Sequence, residues 1–445
     1  ERIDAISNLT DDQINYASVF TAYDDCDIEL DQGYTFLNHL TSVHDNEKLR
    51  SVYKELNPEI TEFYTKIYLN QKLWSVIKKA SSKIDETTLT DEQIRYIEQT
   101  VLSFKLNGAD LSDDKKDEFA QIEVELTKLT DKYKSNILDS TNAFELFVKD
   151  DKELEGLPQS SLTQASEAAE KKGHKNEYLF TLHFPSIRPV MKYAKNVELR
   201  KKMWEASCKI GHTGEFENGS LLLQIAKLRD RKAKLLGFGS FADLTLVKRM
   251  ALCGDIALHF VDDLHDKCHS QFLSEKEDLR KYKAKIVGDE KTEILPWERL
   301  YYGELLRKEK YDFDDELLRP YFPVDKVMSG VFSIASTLYG MDVRSRETYC
   351  RSSPSEPSIE GKVEVWHEDV KYYEVFDKKT GEQLGGFYAD WHPREDKRSG
   401  AWHQSFYNLY PSNPKNLATL CGNIQKASGG KPALLSHSEV QTIFH

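Results

Sequence analysis

Long apolar runs are missing from this sequence. No stretch approaches the roughly 18–20 consecutive apolar residues that span a bilayer, so a membrane-embedded helical protein is excluded as a reading. Cysteine is sparse and scattered, at Cys26, Cys208, Cys253, Cys268, Cys350 and Cys421. No C-x-x-C pair occurs, and the spacing is unlike the dense frameworks that staple small secreted domains. Free thiols in a reducing compartment are expected. Positive charge is in deficit, with 61 Lys and Arg against 74 Asp and Glu and a net charge of -13. The chain lacks the general positive field that recruits nucleic acid or anionic membrane. Low-complexity stretches and repeats of fixed period are also lacking. The first residues, Glu1-Arg2-Ile3-Asp4, have neither an initiator Met nor the charge and apolar core of a signal peptide. The expectation is a soluble, cytoplasmic, monomeric protein with no nucleic-acid or membrane partner.

What is present is enough apolar material for a large core: 39% of the 445 residues are hydrophobic and 11% aromatic. Two or three domains can be built from this length. Up to about residue 340 the apolar period is helical. Phe119, Ile122, Leu126, Leu129, Tyr133 and Ile137 step by three or four, which places one stripe on a helix. Ile60, Phe63, Tyr64 and Ile67 do the same after Pro58, read here as a first-turn proline. Val327, Val331, Ile334 and Leu338 repeat the pattern, and Gly340 follows as a residue able to take positive φ. Breakers stand at Asn107-Gly108, Gly156 to Pro158, Gly237 to Gly239, Leu295-Pro296 and Pro320 to Pro323.

After residue 350 the texture changes. A loop at 351–358 leads to strand-like runs through Val363, Val365, Val370, Tyr372 and Val375. A turn at Lys379 to Gly381 and the segment Gly385 to Asp390 predict a hairpin, and Asn416 to Ile424 a further strand.

Two spacings invite a metal reading. His265 and His269 lie four apart with a carboxylate after the first, as in H-E-x-x-H. The stripe Ile256, Phe260, Leu264, Cys268 and Phe272 predicts a buried face beside them, so an ordinary boundary face is the expected role. The second spacing is incomplete: His445 ends a helix start in which Ser436 and Glu439 have the spacing of a capping box. Arg394 to Arg398 is read as a solvated mixed-charge loop. His392 and His403 are read as ordinary histidines, and Trp366, Trp391 and Trp402 as core anchors.

A series of ordered motifs resembles the thimet oligopeptidase family of zinc metallopeptidases, which includes oligopeptidase A, neurolysin and dipeptidyl carboxypeptidase. They are Lys105 to Leu111, Asp139 to Phe144, Leu228 to Gly237, Phe241-Ala-Asp243, Arg249 to Ala251, Glu309 to Asp314 and Leu318 to Pro323. Val365 to Val370, Gly386 to Asp390, Arg398 to Trp402 and Lys431 to Leu435 follow. The resemblance implies a mainly α, two-lobed, zincin-like oligopeptidase fold with a small β-sheet near the active site. It divides the chain into an N-terminal helical lobe (1–145), a central helical region (146–345) and the start of a catalytic region (346–445).

The resemblance further implies one zinc ion per complete enzyme, with His445 as its first ligand and a general base just after it. It implies short unstructured peptides as substrates, cleaved internally or by removal of carboxyl-terminal dipeptides. Such enzymes pair an edge strand with the substrate backbone. Cys421 to Ile424 is read as that edge, with Gly422 and Asn423 as substrate-binding residues and an ordinary strand or loop as the alternative. The match begins inside the family's pattern and stops at the first ligand. The span is therefore expected to be truncated at both ends, to contain no catalytic residue of its own and to be inactive alone. A non-catalytic helical peptide-binding or scaffold protein derived from such a peptidase is the alternative.

Overall fold

The stripe read at Phe119, Ile122 and Leu129 runs along one 30-residue helix, Asp113–Asn142, with those three side chains buried. The computed structural model describes residues 1–312, 315–351, 353, 355–407, 415–424, 426 and 432–445, and 60% of the chain is helical. The last two residues of the Glu309 to Asp314 motif, two residues of the 351–358 loop and Lys431 lie outside the described residues. No helix among the described residues is long and apolar enough to cross a membrane. All six cysteines are free thiols.

The chain forms two compact units. One comprises residues 1–38, 47–136 and 217–269, the other residues 39–46, 137–216 and 270–445. The regions 1–145, 146–345 and 346–445 follow the chain, whereas each unit draws on interleaved stretches of it. The helices Ile28–Val43, Asp113–Asn142 and Gly254–Val287 each hold residues of both units.

In the first unit, the core gathers Val19, Phe20, Leu73, Trp74, Ile77 and Phe104. The Trp74 and Phe104 rings stack at 5.6 Å, and Trp74 Nε1 donates to Asp110 Oδ1 at 2.7 Å. The polar edge of this large ring is thereby satisfied. Pro58 departs from the first-turn role expected of it. It lies in the interior of the helix Glu47–Leu69, where a proline removes one backbone hydrogen bond. Tertiary bonds hold the chain there: the buried Asn57 side chain accepts from the Tyr34 hydroxyl at 2.5 Å and donates to the Asp131 carboxylate.

The stripe through Ile256, Phe260 and Leu264 is exposed, as is its continuation at Cys268 and Phe272. This corrects the expected buried face. Helical period shows which side chains share a face, but says nothing of whether another element covers it.

In the second unit, strands β1 (Leu146–Val148) and β2 (Tyr178–Phe180) pair antiparallel beside a core of Leu154, Val190, Leu199 and Met203. Farther along are β3 (Met341–Arg346), β4 (Thr348–Cys350), β5 (Val363–Val365), β6 (Lys371–Asp377), β7 (Gln383–Asp390), β8 (Trp402–Tyr407) and β9 (Asn416–Cys421). β4 and β5 form a parallel pair, and the remaining five form a sheet in the order β3-β6-β7-β9-β8. Only its β7 and β9 pair is parallel. The helix Val324–Tyr339 packs on this sheet through Val324, Val327, Met328 and Phe332 and ends at Gly340, whose φ is 67°. The predicted C-terminal glycine is therefore in the left-handed region.

The small sheet and the last helix, His437–Phe444, share one core. Tyr373, Ala389 and Trp391 join Ile424 and Leu435, with Val440 and Ile443 of that helix packed against them. The capping box holds as read: Ser436 Oγ accepts from the Glu439 backbone, and Glu439 Oε2 accepts from Ser436 N at 2.7 Å.

Candidate functional site

A dense buried polar constellation in the second unit is built at the end of β7. Asp390 is its last strand residue, and the pleat turns this carboxylate into the interior, where it is 0% exposed. Such burial demands full hydrogen bonding and charge compensation. Arg394 supplies both in fork geometry, with Nη1 2.8 Å from Oδ1 and Nη2 2.7 Å from Oδ2. Trp366 Nε1 donates to Oδ2 at 2.9 Å. Lys397, also 0% exposed, places Nζ 2.8 Å from Oδ1, 2.7 Å from the Asp390 carbonyl and 2.9 Å from the His392 carbonyl. Three ammonium protons thus meet three acceptors.

Burial pushes the Asp390 carboxyl upward, but Arg394 and Lys397 outweigh it and hold it down at about 2. Burial lowers the Lys397 ammonium from its ordinary range. Burial likewise depresses His39 to about 4. The His39 ring sits edge-on to Trp366 at 4.5 Å and to Phe406 at 4.9 Å.

The loop that follows Asp390 is tied down on two sides. Arg394 Nη2 donates to the Val43 carbonyl at 2.8 Å, Arg398 N to Ser42 O at 2.9 Å, and Asp45 N to Asp396 O at 2.9 Å. Its other side holds the segment after β9. Gly422 N donates to the Asp390 carbonyl at 2.8 Å and Ile424 N to the Trp391 carbonyl at 2.7 Å. Asn423 Nδ2 donates to the carbonyls of Arg398 at 3.1 Å and Gly400 at 2.7 Å. His392 Nδ1 lies 3.0 Å from Ile424 O.

Arg394 to Arg398 is consequently not the solvated loop expected from its composition. Two of its cations are buried against one carboxylate. Trp391 is a core residue as read, whereas Trp366 spends its indole N–H on Asp390. The edge-strand expectation also needs correction. β9 lies inside the sheet, between β7 and β8, and the edges are β3 and β8. Gly422 and Asn423 fall just past the end of β9, where Gly422 is buried against Trp391 and Asn423 is partly exposed.

His445 sits exposed at the end of the His437–Phe444 helix, its backbone N–H donating to Gln441 O at 3.0 Å. The core that holds Ile424 also holds that helix, so the segment containing Gly422 and Asn423 and the helix carrying His445 belong to one cluster. His265 and His269 face each other at 4.7 Å on an exposed helix. Asp390 and Lys397 were not singled out in the sequence. The available signal was the run Asp390-Trp-His-Pro-Arg-Glu-Asp-Lys397, in which a carboxylate followed directly by a Trp and a His precedes a dense cluster of both charge signs.

Comparison with known proteins decides the family. The profile described as "Peptidase family M3" matches residues 190–445, and that described as "Neurolysin/Thimet oligopeptidase, N-terminal domain" matches residues 7–116. The chain belongs to peptidase family M3. It is 33% identical over 423 residues to "Organellar oligopeptidase A, chloroplastic/mitochondrial" of Arabidopsis thaliana, covering 92% of this chain and 52% of that protein. Identity to "Oligopeptidase A" of Escherichia coli (strain K12) is also 33%, over 419 residues, 92% of this chain and 59% of that protein. "Dipeptidyl carboxypeptidase" of the same organism is 28% identical over 410 residues, 91% of this chain and 58% of that protein. The M3 chain thus spans between half and two-thirds of the length of these relatives.

The metal of this family can be tested against the donors present. A catalytic zinc takes three protein ligands and an open position. Among the described residues, no three His, Cys, Asp or Glu side chains converge into such a group. His445 supplies one donor and the His265 and His269 pair two on an exposed helix. The described donor set does not fit a catalytic zinc by itself.

Proposed function

We propose that this M3 chain is part of a zinc oligopeptidase that hydrolyses short unstructured peptides. The match of the M3 profile through residues 190–445 carries the reading. His445, which opens the position that H-E-x-x-H occupies in the resemblance, is assigned as one zinc ligand. Gly422 and Asn423 are assigned to the substrate. Their place past the end of β9 supports this: Gly422 N is bonded to Asp390 O, Ile424 N to Trp391 O and the Asn423 side chain to Arg398 O and Gly400 O, and a main chain held this rigidly can receive an extended peptide whatever its side chains. The span of 445 residues is expected neither to hold zinc stoichiometrically nor to cleave peptides, since catalysis needs ligands beyond His445.

The experiment compares this span with the longest in-frame product of its gene. Zinc per chain and cleavage of a quenched fluorescent peptide of about ten residues are read on both. One zinc per chain and chelator-sensitive cleavage in the longer product, with neither in the span, support the reading. If both products are metal-free and inert, the protein is a peptide-binding or scaffold relative of the peptidases.

A further inference from the structure

Among the described residues, the segment Gly422 to Ile424 lies beyond the last strand pairing of β9. Its backbone hangs from two carbonyls of the stretch that follows β7, Asp390 O and Trp391 O, and from the His392 ring. The first of these carbonyls is fixed in turn by Lys397, which donates to Asp390 O and, on the far side of Trp391, to His392 O while pairing with the Asp390 carboxylate. The same carboxylate grips Arg394, and Arg394 ties the loop to the Val43 carbonyl. Asn423 reaches the far end of this loop at Arg398 and Gly400. One buried carboxylate therefore decides where both ends of the loop lie, and with them the segment.

We infer that Asp390 is a positioning residue: through Arg394 and Lys397 it sets the place of the Gly422 to Ile424 backbone, and so the affinity for the peptide main chain received there. The inference rests on the proposed assignment of Gly422 and Asn423 to the substrate. Asp390 acts through the loop and touches no peptide itself. Neutralising it leaves the buried Lys397 without its anion and Arg394 with only Asp396, 3.6 Å from its Nε, so the loop relaxes and the carbonyls move away from the Gly422 and Ile424 amides.

The test uses Asp390→Asn, with Lys397→Met as a second variant in case the first does not fold. Lys397→Met keeps the Arg394 pair and removes the ammonium that clamps two carbonyls. Amide hydrogen exchange is read in each variant at Gly422 and Ile424, with the β3 and β6 amides as internal reference. Peptide hydrolysis is read in the longer, catalytically competent product. Expected are exchange at Gly422 and Ile424 at least tenfold faster with β3 and β6 nearly unchanged, and a KM raised about tenfold with kcat within threefold of the parent. Exchange at Gly422 and Ile424 unchanged relative to β3 and β6 overturns the inference, whatever the activity does. Locally faster exchange with an unchanged KM overturns the assignment of Gly422 and Asn423 to the substrate, and the role of Asp390 in affinity with it.

Discussion

Lys397 Nζ lies 2.8 Å from Asp390 Oδ1 with both residues wholly removed from solvent. A pair of this kind is poor evidence for added stability, because desolvation costs about as much as the attraction returns. Its meaning lies in what happens when one partner is lost.

Asp390→Ala leaves the buried Lys397 without its anion and Arg394 with Asp396 alone, 3.6 Å from its Nε. Breaking a buried pair in this way costs about 3–5 kcal/mol. Lys397→Met leaves the carboxylate with Arg394 and Trp366, a balanced arrangement, so a loss below about 2 kcal/mol is expected. Urea unfolding of the two variants checks the order. An equal loss in both would show that the two cations do not share one anion energetically.

Gly385 and Gly386 sit where β7 meets its neighbours. A Cβ on Gly385 would overlap the Asn416 carbonyl oxygen across the β7 and β9 pairing, and one on Gly386 would overlap the Tyr372 hydroxyl. The first obstacle is backbone and the second chiefly the end of the Tyr372 side chain, with the Tyr373 carbonyl oxygen 3.0 Å from the added Cβ. Gly385→Ala is therefore expected to cost about 1–3 kcal/mol and to loosen β7 from β9. Gly386→Ala is relieved if Tyr372 turns aside. Thermal unfolding of the two, together with Gly386→Ala combined with Tyr372→Phe, separates these cases: the added Phe recovers part of the loss.

The exposed stripe and the first unit's core make opposite demands. Phe260 is 67% exposed and Phe104 0%. Phe260→Glu is expected to change the stability of this chain by no more than about 0.5 kcal/mol, as a surface substitution does. Phe104→Ala removes the ring stacked on Trp74 and flanked by Tyr23 and Tyr68, at about 3–5 kcal/mol. Denaturant midpoints measure both, and a large loss for Phe260→Glu would mean that this face is covered.

These contrasts show where sequence reading reaches and where it stops. Local rules were legible: the stripe of Asp113–Asn142, the positive φ at Gly340, the capping box at Ser436 and the strands β5, β6, β7 and β9 all follow from side-chain period and turn chemistry. β3 and β8 were not, because Met341 to Arg346 is an edge strand whose second half is charged and exposed, and Trp402 to Tyr407 mixes polar and apolar residues on both faces. Strand order is a non-local fact. Asn416 to Cys421 has the pattern of a strand, but only its pairing with β7 on one side and β8 on the other places it inside the sheet rather than at its rim. Burial of charge was illegible for the same reason. Arg394 and Lys397 look like solvent-facing residues until the fold brings Asp390 between them.

Acid should unfold the second unit in two stages, and the sign follows from where each group is protonated. His39 has its pKa lowered from 6.5 to about 4 by burial, with the Lys397 and Arg398 charges acting in the same direction and Asp390 and Gln404 against it. The unfolded chain takes up this proton as pH falls through 6.5, while the folded chain resists until about 4. The stabilisation is therefore complete above pH 6.5 and is lost progressively down to pH 4, amounting to about 2–3 kcal/mol. His183, His367 and His392, also lowered by burial, act in the same direction. Asp390 follows at lower pH. Its carboxyl is held at about 2 against an ordinary 3.8, so its contribution is present above pH 3.8 and lost as pH falls towards 2. Urea midpoints at pH 7, 5.5, 4 and 3 should fall across the first interval and continue falling below pH 4. In His39→Gln the stability difference between pH 7 and pH 4 should shrink by about 2–3 kcal/mol, whatever the variant's stability at pH 7. An undiminished difference would mean that the other histidines, and not His39, carry the acid response.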